Sequence, residues 1–125
     1  MRARRILVVD DEQDIREVAE MSLSVIGGFE VLQASSGEEA VATATSHQPD
    51  AILLDVMMPR MDGPATFRAL QEDERTRAIP VVLLTAKVQA GDLRQFETLG
   101  VTAVLTKPFD PMQLPKELSR VLDWS

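Results

Sequence analysis

Four short apolar runs, each closing on a polar or charged residue, constrain this chain more than any other feature. Ile6-Leu7-Val8-Val9 runs into Asp10, Ala51-Ile52-Leu53-Leu54 into Asp55, Val81-Val82-Leu83-Leu84 into Thr85, and Ala103-Val104-Leu105 into Thr106 and Lys107. Runs of this length without polar alternation fit strands covered on both faces, which is the environment of a parallel sheet. Phe29-Glu30-Val31-Leu32 is less uniform and fits an edge strand. Between the runs the apolar residues recur at helical period. Ile15, Val18, Ala19, Val25 and Ile26 predict the inward face of a first helix, and Ala40, Val41 and Ala44 that of a second.

Start and stop signals agree with that alternation. Ser36 and Glu39 have capping-box spacing, Pro64 follows Gly63 at a helix start, and Gly27-Gly28 and Gly100 fall where helices should end. The last helix is less regular. Asp110-Pro111 opens it, Pro115 denies a bond and crowds the turn before it, and a broken first turn is expected, with Leu114, Leu118, Val121 and Leu122 as the apolar face beyond. Five strands alternating with five helices predict a doubly wound α/β sheet with right-handed crossovers. The expected flavodoxin-like order, 2-1-3-4-5, puts ligands at the carboxyl ends of strands 1 and 3.

Size and composition narrow the class. A chain of 125 residues suits one domain, so 1–125 is read as a single unit, and 45% hydrophobic with 26% charged residues is ordinary for a globular fold. With no cysteine there is neither a disulfide framework nor a thiolate metal site, and neither a secretory signal nor a membrane-length apolar run is present. A cytoplasmic location is the expectation. The net charge of −7 disfavours direct binding of nucleic acid by these residues, and the basic start Met1-Arg2-Ala3-Arg4-Arg5 is read as a solvated flank of the first strand.

The polar residues that end the runs gather on one rim: Asp10, Asp11 and Glu12 after the first strand, Asp55 after the third, Thr85 after the fourth and Lys107 after the fifth. Acidic residues at strand ends are often solvated, and Thr after a strand is common, so only the set is specific. Three aspartates brought together repel unless a cation joins them. An all-oxygen set suits Mg²⁺, with a backbone carbonyl from the loop after Asp55 completing it. A carboxylate beside a metal can attack phosphorus to form an acyl phosphate, which makes Asp55 the candidate nucleophile. Lys107 and Thr85 are placed to hold phosphoryl oxygens, and the small Ala86 leaves a path for a phosphodonor.

Three segments, Ile6-Leu7-Val8-Val9-Asp10-Asp11-Glu12, Leu54-Asp55-Val56-Met57-Met58-Pro59-Arg60-Met61-Asp62-Gly63 and Leu105-Thr106-Lys107-Pro108-Phe109, resemble the receiver domains of bacterial response regulators. The likeness extends over essentially the whole chain. It implies phosphorylation on Asp55 by a partner histidine kinase or phosphotransfer protein, slow dephosphorylation, and signalling to a protein partner through the fourth and fifth strand-helix region, about Lys87 to Thr98 and Val104 to Leu122. It further implies that Asp11 and Asp55 ligate Mg²⁺ directly, that Asp10 acts through water, that the Met57 carbonyl is a ligand, and that the Lys107–Pro108 peptide is cis. Two features depart from the commonest pattern. Val104 stands where an aromatic toggle is usual, and Met57 and Lys87 occupy positions that border the site.

Other functions fit these residues less well. An aspartate-based phosphohydrolase usually separates its two aspartates by one residue and carries a cap domain, whereas Asp10 and Asp11 are adjacent. A flavodoxin-like electron carrier needs a phosphate loop that Asp10-Asp11-Glu12 would repel. A receiver-like binding module free of phosphorylation would discard part of the acceptor set, and no required residue is missing. His47 is read as a surface loop residue, Met57, Met58 and Met61 as packing under the loop rather than a soft metal site, and Trp124 as packing at the end of the core. No output domain follows the fifth helix in these residues, so a receiver that stands alone or is cut from a longer chain is expected.

Overall fold

The computed structural model describes residues 3–86 and 89–124. Its strands are β1 (Arg5–Val9), β2 (Glu30–Ala34), β3 (Ala51–Asp55), β4 (Val81–Thr85) and β5 (Ala103–Thr106), all parallel, in the spatial order β2-β1-β3-β4-β5. The helices are α1 (Gln13–Met21), α2 (Gly37–His47), α3 (Gly63–Glu72), α4 (Ala90–Leu99) and α5 (Leu114–Val121). The expected fold and strand order are therefore found.

Because the sheet is covered on both sides, side chains alternate between two cores. Leu7, Val9, Ile52, Leu54 and Leu83 pack with Phe67, Leu70 and Phe96 beneath α2, α3 and α4. Ile6, Val8, Leu53, Val82 and Leu84 pack with Ala19, Leu23, Leu114 and Leu118 beneath α1 and α5. Burying a Leu or Ile side chain of this kind contributes about 1.5–3 kcal/mol. Leu7→Ala or Leu53→Ala would each open a cavity at the centre of one core.

Local signals fixed most boundaries. The Ser36 hydroxyl accepts from Glu39 N–H at 3.1 Å, although the Glu39 carboxylate reaches back to Ser35 rather than to Ser36. Asp62 caps α3 by accepting from Ala65 N–H at 2.9 Å, and Gly100 ends α4 at φ 100°. Pro111 to Gln113 form a separate turn before α5, as Pro115 required.

The first helix differs from expectation. After Met21 it widens into a π-turn over Ser22–Ile26 before reaching Gly27. Ala19, Ser22 and Leu23 are buried while Val18, Val25 and Ile26 lie 43%, 76% and 47% exposed; the wider turn rotates Val25 and Ile26 off the inward stripe, whereas Val18 already stands beside it in α1. Uniform helical spacing had placed those three inside. His47 is the exposed last residue of α2, not a loop residue, and its carbonyl accepts from Arg5 Nη1 at 2.9 Å. Trp124 packs on Phe29, with ring centroids 5.6 Å apart, and carries the Arg4 guanidinium 4.4 Å from its ring. Met1, Arg2 and Lys87 lie outside the described residues.

Candidate functional site at the carboxyl ends of the strands

Three of the strands that supply the rim, β1, β3 and β5, keep their hydrogen-bond register one step past their ends. Asp10 N–H donates to the Ala34 carbonyl at 3.2 Å, Val56 N–H to Leu84 at 3.1 Å, and Lys107 N–H to Thr85 at 2.8 Å. The chain thus leaves β1, β3 and β5 in step with its neighbours, and the polar residues arrive together. Asp10, Asp55 and Thr85 are buried, with relative exposures of 1%, 3% and 1%. Asp11, one residue beyond Asp10, is exposed.

Lys107 ties the rim together. Its ammonium lies 2.9 Å from Asp10 Oδ2 and 2.9 Å from Asp55 Oδ1. The peptide between Lys107 and Pro108 is cis. Burial lifts the Asp55 carboxyl above its ordinary 3.8; the Lys107 hydrogen bond opposes that rise, the Asp10 charge adds to it, and the Met57 N–H opposes it. Burial also favours loss of the Lys107 proton, but hydrogen bonds to Asp10 and Asp55 and their charges outweigh it, so the ammonium is held above its ordinary 10.5.

Carboxylate oxygens of Asp10, Asp11 and Asp55 lie within 4.8 Å of one another. Three carboxylates against the one ammonium leave two negative charges when all are ionised, which matches one divalent cation. The donors are hard oxygens, partly buried and partly open to water, the combination that suits Mg²⁺. Met58 is buried, but Met57 is 63% exposed and does not pack under the loop as expected. A groove of about 340 Å³ opens beside Lys107, lined by Glu12, Ile15, Val18, Ala86, Pro108 and Phe109. Ala86 lines this groove together with Lys107.

Two supporting residues were not singled out from the sequence. The Arg16 guanidinium donates from Nη1 to the Asp10 carbonyl at 2.7 Å and from Nε to Gln33 Oε1 at 3.1 Å, and Gln33 in turn donates to Glu20 at 3.0 Å. This chain of bonds pins the turn that carries Asp10 and Asp11. An arginine one turn into the helix after an acid pair was the available signal. Gly63 is the second: a Cβ there would lie 2.6 Å from the Asp55 carbonyl and 2.8 Å from Val56 Cα, so only glycine lets α3 start against the back of the loop after Asp55.

Comparison with known proteins agrees with this geometry. Residues 6–119 match the family model described as the response regulator receiver domain. The chain is 39% identical over 122 residues to the phosphate regulon transcriptional regulatory protein PhoB of Pseudomonas aeruginosa, covering 98% of this chain and 53% of that protein. It is 42% identical over 106 residues to the DNA-binding dual master transcriptional regulator RpaA of Synechocystis, covering 85% of this chain and 44% of that protein. It thus spans about half the length of the curated relatives it matches. Among solved structures, chemotaxis protein CheY4 of Vibrio cholerae superposes with a TM-score of 0.89 at 33% identity, covering 96% of this chain and 99% of that one. With the sheet order, the acidic rim and the family match in agreement, the chain belongs to the response regulator receiver domains, the phosphorylation-switched signalling units of two-component systems.

Proposed function

We propose that Asp55 is the phosphoacceptor of this receiver, and that its phosphorylation is read by a protein partner at the β4-α4 and β5-α5 side of the domain. The observation that carries this reading is the Lys107 ammonium, 2.9 Å from both Asp55 and Asp10. The ammonium holds two buried carboxylates, and of these Asp55 is assigned as the acceptor because it ends β3 at the head of the Leu54 to Gly63 segment that resembles the receivers. In the transfer step an Asp55 oxygen forms the new bond to phosphorus, and the bond from phosphorus to the donor's leaving group breaks. The donor is a histidine kinase or phosphotransfer protein, reaching the rim past Ala86.

Lys107 then has two tasks. Before transfer it orients Asp55, and afterwards it is in reach of a phosphoryl oxygen without moving its backbone. Thr85, buried at the end of β4, supplies a hydroxyl on the other side. Asp10, Asp11, Asp55 and the Met57 carbonyl are the set that would hold Mg²⁺, which when bound neutralises charge on the transferring group. Arg16 keeps Asp10 and Asp11 in position for that task. Val104 is half-buried against the core beneath α4, so a response passes through Thr85 and the backbone rather than through a rotating aromatic ring.

The 125 residues are proposed to act as one domain, without direct contact to nucleic acid and in the cytoplasm; among the described residues no helix is long and apolar enough to cross a membrane. Intact mass after incubation with acetyl phosphate tests the reading. One Mg²⁺-dependent phosphoryl group should appear on the wild type and none on Asp55→Asn. A phosphoryl group retained by Asp55→Asn would move the acceptor elsewhere.

A further inference from the structure

Several arginines of this chain are engaged by internal partners. Arg4 stacks on Trp124, Arg5 and Arg16 donate to backbone carbonyls, and Arg75 and Arg77 hold the turn after α3. Arg68 and Arg94 differ. Both are exposed, and among the described residues neither guanidinium makes a hydrogen bond or an ion pair. They nevertheless come together, because both line one groove of about 510 Å³ between α3 and α4. Its apolar lining is Pro64, Phe96 and Leu99.

Helical spacing builds the walls. Pro64 and Arg68 are four residues apart on α3, and Arg94 and Thr98 four apart on α4, so each wall is one turn of helix that carries one cation. Phe96 is buried, and with the partly buried Leu99 it packs into the core beneath these helices, which fixes the apolar part of the groove. Among the described residues none that lines the groove is acidic, although the chain has 20 acidic and 13 basic residues; Glu72 and Glu97 belong to the same helices but stand outside the lining. The groove is a basic site on an acidic chain. Guanidinium forks take carboxylates in pairs of parallel hydrogen bonds. The apolar lining adds a second requirement, an aliphatic or aromatic group carried between the anions, which an inorganic anion lacks. A nucleic acid strand would meet the net charge of −7 beyond the groove. An acidic peptide segment with an apolar anchor meets both requirements.

We propose that the groove between α3 and α4 docks an acidic peptide segment of a partner protein, with Arg68 and Arg94 each taking a carboxylate and an apolar side chain of the segment resting on Pro64, Phe96 and Leu99. The groove is lined by α3 and α4 alone, with no residue of α1, β5 or α5, so it lies on the α3 side of α4, apart from the phosphodonor approach. The inference does not depend on which aspartate accepts phosphate.

Charge reversal tests it. The probes are short fluorescein-labelled peptides in which a Leu or a Phe stands between Glu residues, and fluorescence anisotropy at physiological salt follows their binding to the unphosphorylated chain. Saturable binding should appear with a Kd of about 100 μM or tighter. Arg68→Glu and Arg94→Glu should each weaken it by about tenfold or more. The double variant should lose the acidic peptides and bind instead the same peptides with Lys in place of Glu. Both arginines are exposed, so circular dichroism should show unaltered folds. A wild type that binds none of the acidic peptides, binding indifferent to both reversals, or a double variant that fails to take the Lys peptides would each overturn the proposal. So would peptides that bind equally well with Gly in place of the Leu or Phe, or that citrate displaces at equal concentration, since the groove would then be a site for anions alone.

Discussion

Cations meet carboxylates in two contrasting places in this molecule. At the rim, Lys107 lies between Asp10 and Asp55, with side-chain exposures of 19%, 2% and 4%. In the turn after α3, Arg75 meets Asp73 at 2.8 Å, but its side chain is 69% exposed and water competes for both groups. The distances barely differ, whereas the surroundings do. At the rim each charge has left water and depends on its partners, so removing one strands the others. In the turn either partner is readily replaced by solvent. Geometry alone would rank the two sites alike; burial separates a site that can store a change of charge from one that only shapes a turn.

The largest break in this contrast should come from Lys107→Met. Without the ammonium, Asp10 and Asp55 face each other buried, and in metal-free buffer at neutral pH the variant should lose about 3 kcal/mol or more, the usual scale for breaking a buried pair. Urea denaturation in the presence of a chelator measures it. A loss too small to resolve would mean that water reaches the rim and that it resembles the turn. Next in size is the gain from Mg²⁺. At a hundredfold excess over its dissociation constant a ligand specific for the folded chain adds about 2.7 kcal/mol. Asp11→Ala should remove most of that gain while leaving the metal-free stability near wild type, because Asp11 is exposed and outside the Lys107 contacts. Equal stabilisation of wild type and Asp11→Ala would take Asp11 out of the metal set.

How much of this was legible in the sequence follows the same division. The strands were readable because Ile6 to Val9 or Val81 to Leu84 are apolar at every position, a pattern that only burial on both faces explains. Asp10, Asp55, Thr85 and Lys107 were readable because each interrupts or follows such a run at the same end. The π-turn was not, since Ser22-Leu23-Ser24-Val25-Ile26 reads equally well as ordinary helix, and the partner its first residue bonds, the Pro111 carbonyl, lies 89 residues away. The left-handed end of α2 at Gln48, with φ 47°, was hidden likewise: its side chain bonds the Arg75 carbonyl at 2.9 Å, a contact between distant segments. Arg16 was visible as an arginine one turn into the helix after the acid pair, but its partner, the Asp10 carbonyl, is a backbone group that every residue carries, so the spacing alone did not single it out.

A smaller effect should come from Asp55→Asn, quite apart from loss of the phosphoryl group. The substitution removes one of two like charges from a buried site and keeps the shape. In metal-free buffer Lys107 keeps Asp10 as its partner while the burial of one charge and its repulsion from Asp10 are relieved, so the urea midpoint should rise slightly with an unchanged slope. Destabilisation instead would show that the Lys107 pair outweighs both burial and the repulsion from Asp10.

The smallest effect belongs to the exposed pair, and there pH is the sharper probe. Hydrogen bonds from the Arg75 side chain and backbone hold the Asp73 carboxyl down at about 2, against an ordinary 3.8. A depressed carboxyl stabilises the fold above its unfolded value, and that contribution disappears as pH falls through the folded one. The window is therefore between about 4 and 2, where the carboxylate is kept only by the turn. Full exposure and salt screening shrink the consequence for stability, so Asp73→Asn should leave the urea midpoint near wild type at neutral pH. NMR titration of the Asp73 carboxyl should find its midpoint well below the ordinary range, and in Arg75→Ala the midpoint should return toward 3.8. An Asp73 that titrates normally beside an intact Arg75 would mean that solvent has already dissolved the pair, which widens the contrast with the rim.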